Sequence, residues 1–216
     1  MNLLAHLYLS GNDDYVILGN FFADAVKGRQ YLKYDKRIQH GIMLHRAIDD
    51  HTDHHPMAKR SVKRLQPEYH KYAAVIIDLV YDHFLALNWN TYAHTDINAF
   101  INHKYALLLK HYNLLPQRTR QFVPFMILNN WLKNYMTLEG LHLSLEGLSR
   151  RTAFESKMEF AIHDVKIHYQ ELHNDFNNFF PDITAFANEY LLNGKSTGTS
   201  CCAYRFGTCE AGRRID

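Results

Sequence analysis

Histidine and aspartate recur in Leu44-His45-Arg46-Ala47-Ile48-Asp49-Asp50-His51-Thr52-Asp53 at a spacing that chemistry can use. In a helix turning about 100° per residue, His45 and Asp49 fall one turn apart on one face. Ile38 and Ile42 continue that face toward the amino end. Such a stripe points into a core, where an unpaired imidazole or carboxylate costs several kcal/mol, roughly. Two arrangements would satisfy the pair. Both side chains can reach one metal ion from i and i+4, or they can form a buried hydrogen bond that only holds helices together.

The same signal recurs elsewhere. His6 lies between Leu3 and Leu7, and Asp24 falls on the face that Ile17 and Phe21 define, with Asn20 four residues earlier as a possible hydrogen-bond partner. His83 projects into the arc of Ile76, Leu79, Val80 and Leu87. Asp78 and Asp82 fall on the opposite side of that helix, a solvent face unless neighbours such as Leu85 and Trp89 are also covered. His6, Asp24, His45, Asp49 and His83 thus each interrupt an apolar helical face. A mixed imidazole and carboxylate set of this kind converges more readily on one polar centre than on separate buried pairs. Nitrogen and oxygen donors together suit Mn²⁺, Fe²⁺ or Zn²⁺ rather than Ca²⁺. The chain has fifteen histidines. His54, His55, His70, His94, His103 and His111 have polar or turn neighbours and read as surface residues.

Helices must position these residues. The apolar spacing predicts helices over Leu3 to Leu9, Asp13 to about Gly28, Asp35 to Asp53, Met57 to Gln66, and, after a break at Pro67, Glu68 to Asn90. Further helices are expected over Asp96 to His111, Arg120 to Tyr135, Leu138 to Arg151, and Glu155 to Leu192, the last interrupted at Pro181. No run alternates long enough to predict a strand. The expected fold is all-α, a single domain over residues 1–192. A tail over 193–216, rich in Gly, Ser, Thr and Cys, is expected to be disordered.

Length and composition narrow the classes. The chain has 216 residues, 47% hydrophobic and 21% charged, with a formal net charge of +2. That balance suits one globular domain and lacks the basic excess of a dedicated nucleic-acid binder. No segment approaches the ~18 apolar residues of a membrane span, and the first residues lack the pattern of a secretory signal. Cys201, Cys202 and Cys209 all lie in the tail, so the body cannot use disulfides. A cytoplasmic location follows.

The order and spacing of Asn2-Leu3-Leu4-Ala5-His6-Leu7, Gly19-Asn20-Phe21-Phe22-Ala23-Asp24, His45-Arg46-Ala47-Ile48-Asp49 with Thr52-Asp53, Asp78 with Asp82-His83-Phe84-Leu85, and Gly147-Leu148-Ser149-Arg150-Arg151 closely resemble the acyl carrier protein phosphodiesterase family. The likeness covers about residues 1 to 192. It implies an all-helical relative of the HD-type metal-dependent phosphohydrolases that cuts 4′-phosphopantetheine from the carrier protein serine, with Mn²⁺ as the usual metal. The metal would lower the pKa of a bound water and neutralise phosphoryl charge. Asp24 would serve the chemistry as well as the metal, and Asp82 or Asp53 would orient a ligand histidine or act as base. Arg46 and Lys27 are candidate phosphate partners, with solvated surface cations as the alternative. The carrier protein is small and acidic, so a basic rim is expected, from Lys59, Arg60, Lys63, Arg64, Arg150 and Arg151. Competing readings keep the metal with a nucleotide or other small phosphate ester, or make the His/Asp set a network in a helical binding module.

Overall fold

Capping side chains set where the site-bearing helices begin. In the computed structural model, which describes residues 2–196, Asn2 Oδ1 accepts the Leu3 amide at 2.7 Å and opens α1 (Leu3–Tyr8). Asp13 accepts the amides of Tyr15 and Val16 at the start of α2 (Asp14–Phe22), and Asp35 accepts that of Arg37 at the start of α3 (Lys36–His54). Between α2 and α3 the chain makes short 3₁₀ turns at Ala23–Ala25 and Gly28–Lys33. The helix predicted to Gly28 therefore ends at Phe22, and Asp24 sits on the turn beyond it.

The remaining helices are α4 (Pro56–Tyr69), α5 (Ala73–Leu87), α6 (Trp89–Tyr92), α7 (Ile97–Lys110), α8 (Gln117–Leu128), α9 (Trp131–Asn134), α10 (Leu138–Ser149), α11 (Ala161–Ile167) and α12 (Tyr169–Ser196). The fold is one all-helical domain, with no strand among the described residues. Neither predicted proline break occurs. Pro67 lies in the last turn of α4, which stops at His70, where φ is +46°. Pro181 lies inside α12, where Phe179, Phe180 and Ile183 are buried on either side of it, so packing holds the helix across the missing donor. The predicted helix Arg120 to Tyr135 instead divides into α8 and α9 at Asn130, which has φ +47°. The chain from Arg150 to Lys157 is not helical.

Two glycines bring α2 and α3 into backbone contact. A Cβ on Gly19 would overlap the Ile38 carbonyl, and one on Gly41 would overlap the Val16 carbonyl. On the far side, Tyr81 and Phe84 of α5 pack with Phe176 and Phe179 of α12, and Phe180 stacks on Phe176. Beside them lies a wholly buried carboxylate, Asp175, held by Arg60 (Nε at 2.6 Å), by Arg64, and by Ser61 Oγ at 2.9 Å. Arg60 and Arg64, expected on a free basic face, thus tie α4 to α12 instead. Helix α12 continues past Leu192 to Ser196, with Gly194 against the His40 imidazole. The first four residues of the expected tail are thus helical, and its residues from 197 on, cysteines included, lie outside the described residues.

Candidate metal centre

A polar cavity of about 300 Å³ opens among α1, α2, α3 and α5, lined by His6, Asn20, Phe21, Asp24, His45, Asp49, Asp53 and Asp78 together with Asn2 and Leu3. Helix α1 delivers His6 because Asp82, on α5, accepts the amides of Asn2, Leu4 (2.8 Å) and Ala5 at its first turn. The close α2–α3 crossing sets Asn20 beside His45, and the i, i+4 spacing on α3 sets Asp49 beside His45.

The two imidazoles stack, with ring centroids 4.0 Å apart and planes inclined by 20°. Asn20 Oδ1 lies 2.8 Å from His6 Nδ1 and 3.1 Å from His45 Nδ1, while Asn20 Nδ2 donates to the His6 carbonyl. That last bond fixes which end of the amide faces the rings. Its oxygen can only accept, so both Nδ1 atoms carry hydrogen and both Nε2 atoms turn the other way. His6 Nε2 lies 3.1 Å from Asp49 Oδ1, and His45 Nε2 lies 3.2 Å from both Asp49 Oδ2 and Asp24 Oδ1.

Lone pairs on nitrogen thus face lone pairs on carboxylate oxygen, an arrangement that is stable only with cations between them. Burial alone would depress His45, but its bonds to Asp24 and Asp49 prevail and lift it to about 9. Burial and the neighbouring His45 hold His6 below the usual imidazole range. One proton therefore cannot serve both rings. Asp49 is held well below the carboxylate range by the two imidazoles, against its burial, and Asp24 is lowered mainly by its bond to His45. A divalent ion fits this donor set. His6, His45 and Asp49 offer ligand atoms within 4.8 Å of one another, and Asp24, with a side chain 91% exposed, reaches the same nitrogen from the solvent side. Asn20 supplies the outer hydrogen bonds that orient metal-binding histidines.

The other expected residues lie elsewhere. His83 is no part of the cluster: its Nδ1 meets the Tyr135 carbonyl at 2.7 Å and its Nε2 the Tyr169 hydroxyl at 2.9 Å, so both nitrogens are satisfied, and it does not line the cavity. Asp82 is not on a solvent face. It is wholly buried and caps α1, which leaves it outside the cavity, and burial pushes its carboxyl up to about 7 against the three amides. Arg46 donates to the carbonyls of Val26 and Gly28, at 3.0 and 3.1 Å, and is not among the residues that line the cavity. Lys27 is exposed beyond Asp24. Arg150 pairs with Glu146, and Arg151 covers Trp131 at 5.0 Å. Asn20 was expected to bond Asp24 and instead holds both rings. Its place among buried residues of α2 was the available sign.

Comparison with known proteins agrees with the resemblance. The family model for acyl carrier protein phosphodiesterase matches residues 1–183. A protein of Yersinia enterocolitica with that name is 32% identical over 190 residues, 88% of this chain and 98% of its own. Namesakes in Photorhabdus laumondii and Serratia proteamaculans are 32% and 29% identical, over 84% and 89% of this chain and 92% and 100% of theirs. No solved structure matches. The matched span holds every residue of the cavity, and this chain belongs to the acyl carrier protein phosphodiesterase family.

Proposed function

We propose that the protein hydrolyses the phosphodiester between 4′-phosphopantetheine and the serine of holo acyl carrier protein, using a divalent metal, Mn²⁺ foremost with Fe²⁺ or Zn²⁺ as substitutes. The observation that carries this is the paired outward-facing Nε2 atoms of His6 and His45 meeting Asp49 in a polar cavity of a family member. His6, His45, Asp49 and Asp24 would hold the ion, and Asn20 keeps both rings in the tautomer that does so. When bound, the ion supplies a more acidic water and compensates phosphoryl charge. Asp53 lies at the same cavity, and burial and the Asp78 charge raise its carboxyl above the ordinary range. Of the two candidate bases it is the one placed to move a proton, since Asp82 is committed to α1. In the reaction, water oxygen joins phosphorus, the bond from phosphorus to serine Oγ breaks, and that oxygen takes a proton. Such a substrate places the protein in the cytoplasm and in fatty acid synthesis.

The test is incubation of holo carrier protein with Mn²⁺ and intact mass measurement. Loss of the phosphopantetheine mass, abolished by chelator, is expected. An unchanged carrier mass with each of Mn²⁺, Fe²⁺ and Zn²⁺ would overturn the reading.

A further inference from the structure

Arg60, Arg64 and Arg150, expected at the rim, are held in ion pairs, but another group of cations follows the cavity residue Asp24 along the chain. Residues 26–36 begin two residues after Asp24 and carry Lys27, Arg29, Lys33 and Lys36, all exposed and without an ion pair among the described residues. The single acid there, Asp35, caps α3 and pairs with Arg37. This basic segment is fastened. Arg46 Nη2 donates to the Val26 and Gly28 carbonyls, and its guanidinium lies 5.3 Å from the centre of the Tyr31 ring. Arg46 follows His45 in sequence, so one helix carries metal-binding candidates and the tether of the basic segment. Gly28 has φ +54°, a conformation that lets its carbonyl turn to Arg46 without side-chain strain. Leu32, 48% exposed, adds an apolar contact among the cations.

We infer that the segment 27–36 is the docking surface for the acidic carrier protein, placed by Arg46 so that the serine-linked arm enters beside Asp24. The inference rests on the proposed substrate and deepens it. Charge complementarity carries it: exposed cations without ion pairs follow Asp24, a residue of the cavity, and such cations steer and hold an acidic partner. Arg60 and Arg64, by contrast, are engaged with Asp175, and Arg150 with Glu146.

Binding can be tested apart from catalysis with apo carrier protein, which has no bond to cut. Titration calorimetry would compare the full chain with the triple variant Arg29→Glu, Lys33→Glu, Lys36→Glu at about 50 mM and about 300 mM NaCl, either side of a Debye length of ~10 Å. The variant should weaken binding at least about tenfold at low salt, and salt should weaken the unmodified protein toward the variant. Melting temperature and metal content of the variant report that it is folded. Equal affinity of both proteins would overturn the proposal, as would binding to anionic lipid vesicles with none to carrier protein. If binding falls as expected while holo carrier protein is never cleaved, the docking surface stands and the proposed reaction fails.

Discussion

At the scale of single residues, Asn20 orients both imidazoles of the proposed metal site without being one of its candidate ligands. Asn20→Leu should weaken metal binding about 10–100-fold, because neither ring is then held in one tautomer. Asn20→Asp, which keeps the shared acceptor, should recover part of the loss. A competition titration with a chelating dye would measure both, and equal affinity in all three proteins would refute the role. His45 sets the pH dependence. In the metal-free protein its folded pKa of about 9 exceeds the ordinary 6.5, so its stabilising contribution is complete below 6.5 and vanishes as pH rises through about 9. The metal must displace that proton, so affinity should climb about tenfold per pH unit until about 9 and then level. His45→Ala should bind weakly with a flatter profile. The same residues show what sequence could and could not disclose. The gathering of His6, His45 and Asp49 was legible from polar interruptions of apolar stripes, whereas Asp24 lies on a turn beyond α2 with an exposed side chain, not on the buried face expected of it. His83 gave the same signal and was misleading, since periodicity reports burial but not the partner, here a carbonyl and a tyrosine hydroxyl from distant helices.

At the scale of elements, helix positions matter as much as ligands. Gly41→Ala should force α2 and α3 apart and cost about 1–3 kcal/mol of stability, with metal affinity falling because Asn20 and His45 separate. Denaturant unfolding and metal titration on one preparation would check this; an unchanged variant would show the crossing is looser than described. Asp82→Ala should leave three amides of α1 without their acceptor, also at about 1–3 kcal/mol, and should loosen His6. The helices themselves were largely readable from apolar spacing. Their breaks were not. Proline at 67 and 181 was given too much weight, because a missing donor is a local penalty that flanking packing outweighs. The solvent face expected at Asp82 is absent because α5 is buried on every side from Leu79 to Ala86.

Across the whole molecule, the cavity and the Asp175 cluster are separable. Asp175→Ala would strand Arg60 and Arg64 and should cost about 3–5 kcal/mol, yet leave metal affinity unchanged in protein that remains folded. A parallel drop in affinity would show that the two regions are coupled. This separation was invisible in the sequence, where Asp175 and the cations of α4 stand more than a hundred residues apart. The dependence of α1 on Asp82 has a further consequence, for the order of events in folding. Every candidate ligand is at or before Asp49, so on a growing chain these side chains exist well before the helix that steadies His6. On the proposed metal site, ion capture would then follow folding and not guide it. Mn²⁺ present during refolding should leave the folding rate nearly unchanged and slow only unfolding, the behaviour of contacts absent from the transition state. Stopped-flow folding with and without the ion would reveal it.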